Sequence, residues 1–208
     1  MGMAVTDQQR TELARLGTRI VQMRLDATGN DPGALVEGTK DMPRRDVEDW
    51  LRAEDEAKRT TCMGLFNYAE TYFRSARALN ANKPKVTHPD DPVNFLFYHA
   101  IELYLKAYLR LKGHTPRELA GRKFGHSVGA LSKRASELGQ FLMDEDKEVL
   151  QSMEHDDAVI RSRYIKVGAF RRPTHGALDR TCKSFRQTIG EELLADGQPV
   201  RGIRRGDL

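Results

Sequence analysis

His99, Glu102, Lys106 and Arg110 recur at intervals of three, four and four residues, which puts them on one stripe of a helix. Inside a bundle such a stripe makes a polar cavity, where His99 is a candidate general base and Lys106 or Arg110 a candidate phosphate holder. The same spacing also suits an ion-paired seam, because Glu102 precedes Lys106 by four residues in the favourable order. His126 lies between Gly125 and Ser127 at the start of a helical segment. Its ring either fixes the way the chain enters that helix or borders an anion site at the helix N-terminus. His99, Glu102, Lys106 and His126 are therefore the catalytic candidates, and a structural role stands beside each.

A second chemistry-bearing stretch is RSRYIKVGAFRR, with five cations, two aromatics and no carboxylate between Arg161 and Arg172. Basic residues interleaved with rings could follow a phosphate backbone and stack a base. Arg161, Arg163, Tyr164, Lys166, Arg171 and Arg172 are the nucleic-acid-binding candidates. The alternative is a helix C-terminus carrying the positive charge its dipole favours. The acidic residues Asp144, Glu145, Asp146 and Glu148 read as a helix start rather than a metal site, since hard cations want carboxylates from several elements. No GxGxxG, P-loop, CxxC, zinc-type His/Cys spacing or nucleophile elbow occurs, so no cofactor and no metal is expected.

The elements that must position these residues are helical throughout. Residues 6–25 have a helical apolar face, followed by a loop-like stretch to Asp41. A long helix is expected from about Arg44 to Leu79, with a possible break near Thr60–Gly64. The clearest element is VNFLFYHAIELYLKAYLRLK, opened by Asp91-Pro92 as cap and first turn and closed by Gly113. It is apolar around most of its circumference, so it belongs at the centre of a bundle or in a dimer interface. A short turn of helix after Thr115-Pro116, a helix from Ser127 to Gly139, another from Asp144 to about Tyr164 and a last from Thr174 to Ala195 complete the chain. No strand-period alternation of useful length and no internal repeat is present.

At 208 residues the chain can bury one good core. Its 39% apolar and 31% charged content suits helices that bury one stripe and solvate the rest. The net charge of +4 permits contact with nucleic acid without requiring it. Cys62 and Cys182 occupy apolar-periodic positions and are expected to be reduced and buried. The stretch Val93–Leu111 is interrupted by His99, Glu102, Lys106 and Arg110, which argues against a membrane span, and no signal peptide is recognisable. A cytoplasmic location is expected.

The run NFLFYHAIELYLKAYLRLKG followed by FGHSVGALSKRASELG resembles the HEPN family, more weakly back to NYAETYFRSARAL and forward to IRSRYIKVGAF. The resemblance covers about 50–195 and implies an all-α, up-and-down bundle of four to five core helices. Residues 1–42 would then be an extra N-terminal helix and linker, 43–195 the bundle and 196–208 a disordered basic tail. Family members include ribonuclease toxins, defence effectors, companions of nucleotidyltransferases and inert forms, often homodimeric. The ribonucleases carry an Arg and a His separated by four to six residues. The nearest pairs here, Arg110–His114, Arg122–His126 and Arg171–His175, have three residues between. The resemblance therefore implies a module that binds RNA or a nucleotide-related partner without cleaving it, in a toxin–antitoxin or phage-defence setting. The alternatives are a ribonuclease with a non-standard site and a protein-interaction partner of a nucleotidyltransferase or toxin.

Overall fold

The computed structural model describes residues 60–155, 158–162, 164 and 172–200; the expected N-terminal helix and linker, the first part of the expected 44–79 helix and residues 201–208 lie outside them. Helix α1 (Cys62–Ala81) starts within the stretch where the sequence allows a break. The Thr61 hydroxyl accepts the Gly64 N–H at 2.9 Å and so satisfies one of the orphan donors of the first turn. Helix α2 (Asp90–Leu111) begins one residue before the expected cap. Pro89 occupies the cap position without a side-chain bond, and Asp91 sits inside the first turn. Asp91 does not cap because its carboxylate is taken by the Arg172 guanidinium, while Pro92 removes one of the donors that a cap would satisfy.

Helix α2 ends in a Schellman motif. The Gly113 N–H donates to Arg110 O at 3.2 Å and the His114 N–H to Leu109 O at 3.0 Å, with Gly113 at φ +93°. No atom crowds a Cβ at this position, so the penalty for another residue is conformational alone. Gly113→Ala should cost about 1–2 kcal/mol of stability, read as a lower urea midpoint at unchanged m-value.

Helix α3 (Pro116–Ala120) carries a full capping box between Thr115 and Glu118. Ser127 caps α4 (Val128–Glu137), and α5 (Asp144–His155) and α6 (Ala158–Arg161) follow. The last helix, α7 (His175–Ala195), is capped by Thr174. Of the tail expected from Asp196 onward, five residues are described. Gly197 closes another Schellman motif, as Gly139 does after α4, and Val200 lies 8% exposed against the core.

Helix α2 is the hub and packs against α1, α4, α6 and α7. It is buried around most of its circumference, with Phe97, Ile101, Tyr104, Leu105, Tyr108 and Leu109 in the core and a partly exposed stripe through His99 and Lys106. Helices α1 and α2 run antiparallel: Phe73 meets Phe97, Phe66 meets Tyr104, and Arg110 near the end of α2 reaches Thr60 O ahead of α1. Helix α7 runs alongside α2 in the same sense, from His175 beside Asn94 to Glu192 beside Lys112. Fully burying each of these large side chains is worth about 1.5–3 kcal/mol, so the all-apolar helix at the centre supplies much of the driving force. Among the described residues there is no strand, and no helix is long and apolar enough to cross a membrane. Cys182 is buried in the core, whereas Cys62 at the start of α1 is only partly buried; neither is in a disulfide.

Candidate functional site

Glu102 projects from the middle of α2 and is 1% exposed. A carboxylate at that depth must be neutralised or supplied with donors. Three donors converge on it. The Lys106 ammonium donates to Oε1 at 2.6 Å from one turn further along the same helix. His126 Nδ1 reaches Oε1 at 3.0 Å, and His99 Nδ1 reaches Oε2 at 3.3 Å. Burial pushes the Glu102 pKa up. The hydrogen bond from His99, the Lys106 charge and its hydrogen bond, and His126 together outweigh burial and bring it down from 4.5 to about 2.

An ionised carboxylate only accepts, so in both rings Nδ1 must carry the hydrogen. That leaves Nε2 of each imidazole as the nitrogen available to a ligand, and no described residue bonds to either. The His99 side chain is 20% exposed and that of His126 is 38% exposed, so water or a ligand reaches both rings. The cluster is an ion pair with two outward imidazoles rather than a closed seam. With Nδ1–H given to the carboxylate, each Nε2 accepts in the neutral ring and donates to a phosphate oxygen only in the imidazolium form.

The local structure explains how His126 arrives. Phe124 is buried and stacks edge-on to His114 with ring centroids 5.4 Å apart, anchoring the loop between α3 and α4. Gly125 then turns the chain at φ +30°, and Ser127 caps α4 by accepting the Ala130 N–H. His126 is held between that anchor and that cap, with its ring swung over α2. His99 is held by rings: Tyr72 of α1 meets it edge-on at 4.4 Å and Phe95 stacks on it at 5.8 Å.

All four catalytic candidates thus meet at one carboxylate. Arg110, the fourth member of the expected stripe, does not join them. Its guanidinium turns to backbone carbonyls, donating to Thr60 O and His114 O at 3.1 Å each. Of the nucleic-acid candidates, Arg161 is exposed at the end of α6 and Tyr164 is 71% exposed, while Arg172 is ion-paired with Asp91. Arg163, Lys166 and Arg171 lie outside the described residues. The acidic start of α5 divides its roles: Asp144 pairs with Lys147, Glu145 with Arg180, and buried Asp146 accepts from Ser184 Oγ and the Met143 N–H. Among the described residues no group of three His, Cys, Asp or Glu side chains could hold a metal ion.

A third buried carboxylate escapes the sequence reading. Glu70 of α1 accepts the Tyr104 hydroxyl at 2.5 Å and the Arg186 guanidinium at about 3 Å, tying α1, α2 and α7 together. Burial, then the Glu70 hydrogen bond and charge, push the Tyr104 pKa far up, so this hydroxyl stays a donor. The available signal is that Glu70 falls four residues after Phe66 and three before Phe73, on an otherwise apolar face. A separate cleft of about 270 Å³ beside His175 and Phe97 contains Asp179, which is already paired with Arg77 and Lys183.

No curated protein and no solved structure matches the chain. The HEPN domain family model matches residues 63–189, more than half of the sequence, from α1 into α7 and across the whole Glu102 cluster. With an all-α fold built around the ELYLKAYL helix, the chain belongs to the HEPN family.

Proposed function

We propose that this HEPN module binds RNA or a nucleotide-bearing ligand through the face around Glu102, with His99 and His126 contacting phosphate. The observation that carries the reading is the suspension of both imidazoles by Nδ1 from one buried carboxylate, with Nε2 of each unbonded. Contact with phosphate releases counterions, so the affinity should fall steeply with salt. A native gel with end-labelled single-stranded RNA tests it. His99→Ala with His126→Ala should weaken the shift about tenfold or more; because the pair also takes two of the three donors from Glu102, the gel is run well below the variant's melting temperature, where its helical content matches wild type. A shift that survives the double substitution, or that does not depend on salt, would sink the proposal.

One observation favours a second reading, cleavage at the same site. Two imidazoles on one carboxylate are the minimum set for moving a proton to and from a phosphodiester, one as base and one as acid. The Arg–His spacing of the ribonuclease members is absent, which places binding first. A denaturing gel of the same samples separates the two, because cleavage fragments lost in either single His variant would replace binding by catalysis.

A further inference from the structure

The His99 ring does not stand alone. Tyr68 and Tyr72, one turn apart on α1, have ring centroids 6.4 Å apart, and Tyr72 meets His99 at 4.4 Å. Phe95, one turn before His99 on α2, stacks on it with an interplanar angle of 8°. Two i,i+4 pairs on antiparallel neighbouring helices thus make a row of four rings. One end of the row is open, since Tyr68 is 65% exposed, and its third ring, His99, bonds into the Glu102 cluster before the row ends at Phe95.

The surroundings of Tyr68 decide what this row suits. Its exposed neighbours on α1, Asn67 and Thr71, are polar. The described aliphatic residues with large exposure, Val86, Met143 and Ile160, belong to other segments. A protein interface of stable affinity needs a contiguous apolar core, which this face does not offer. A ring with polar flanks beside a cluster of imidazoles and an ammonium instead matches a single-stranded nucleotide, with a flat apolar base and an anionic phosphate.

We infer that Tyr68 and Tyr72 form a base-stacking subsite for single-stranded RNA, adjoining the imidazole pair that meets the phosphate. The inference rests on the proposed binding role of His99 and His126 and adds the part of the ligand that they do not touch. The subsite accepts any base, because every base has a π-face, and it rejects a duplex, whose bases are already stacked on each other.

The test uses the full chain and three probes: a short single-stranded RNA, the same strand made abasic, and the same RNA carrying 5-iodouridine for photocrosslinking. Tyr68→Ala, at a surface position, should weaken binding of the intact strand about tenfold, whereas Tyr68→Phe should bind like wild type. The abasic strand should bind weakly and with no response to Tyr68→Ala, and the crosslink should map to the peptide carrying Tyr68 and Tyr72. If Tyr68→Ala binds the intact strand normally while His126→Ala does not, the stacking subsite is wrong and the phosphate reading stands. If neither variant changes binding, both fall. Sedimentation of the wild type and Tyr68→Ala closes the remaining route: a dimer that the substitution dissociates would make this face a self-interface and overturn the subsite.

Discussion

Glu102→Ala should destabilise the fold by about 3–5 kcal/mol, because it leaves the Lys106 ammonium, 13% exposed, with no partner for its charge. The same change removes the acceptor that orients His99 and His126, so any RNA affinity should fall with it. Urea unfolding gives the first effect and a gel shift at low denaturant the second. The pH dependence tests the same carboxylate without deleting it. Its pKa is about 2 in the folded protein against an ordinary 4.5, so the folded state holds the charged form more tightly. A lowered carboxylate pKa contributes stability that is complete above about 4.5 and is lost as pH falls towards 2. Glu102→Gln cannot titrate, so the difference in stability between wild type and this variant should shrink by about 3 kcal/mol between pH 5 and 2. A difference that stays constant over that range would show that the three donors do not hold the carboxylate as described.

Tyr104 should give the second large effect, and in two separable parts. Its ring is fully buried against Phe66, and its hydroxyl donates to the carboxylate of Glu70 at 2.5 Å. Tyr104→Phe keeps the ring and strands one lobe of Glu70, which should cost about 1.5–3 kcal/mol, as expected for a hydrogen bond to a charged group. Tyr104→Ala also opens a cavity at the junction of α1, α2 and α7, and the total should reach about 4–5 kcal/mol. Thermal or urea unfolding of the two variants reads the difference as the contribution of the ring. A Phe variant as stable as wild type would mean that Arg186 and Arg74 satisfy Glu70 without the hydroxyl.

The junctions at Glu102 and Glu70 differ in how visible they are before folding. The stripe His99–Glu102–Lys106 was legible because it lies on one helix, where residues three and four apart face the same way whatever the tertiary structure. Arg110 obeyed the same rule and still left the cluster, because its guanidinium is taken by the backbone carbonyls of Thr60 and His114. Glu70 was passed over because its local partner, the exposed Arg74 one turn later, reads as an ordinary surface pair and gives no sign of burial. The partners that tie it into the core lie 34 and 116 residues away in the chain. The cap of α2 was misplaced for a similar reason, since Asp91 is claimed by Arg172 from 81 residues further on.

The sequence by itself determined the helical class, most helix limits and the central place of α2. Those follow from propensities, caps and apolar periodicity, all of which act within a few residues. Thr61, Ser127 and Thr174 cap helices through their own side chains, and Gly113 can close α2 wherever that helix packs. Only the tertiary structure decided that His126 swings onto Glu102 and that Tyr68 and Tyr72 extend the His99 ring into an open row. Such meetings join separate helices and a loop. They depend on which faces the shared core brings together and on which donors a buried carboxylate finds there, and no periodicity within one segment encodes either.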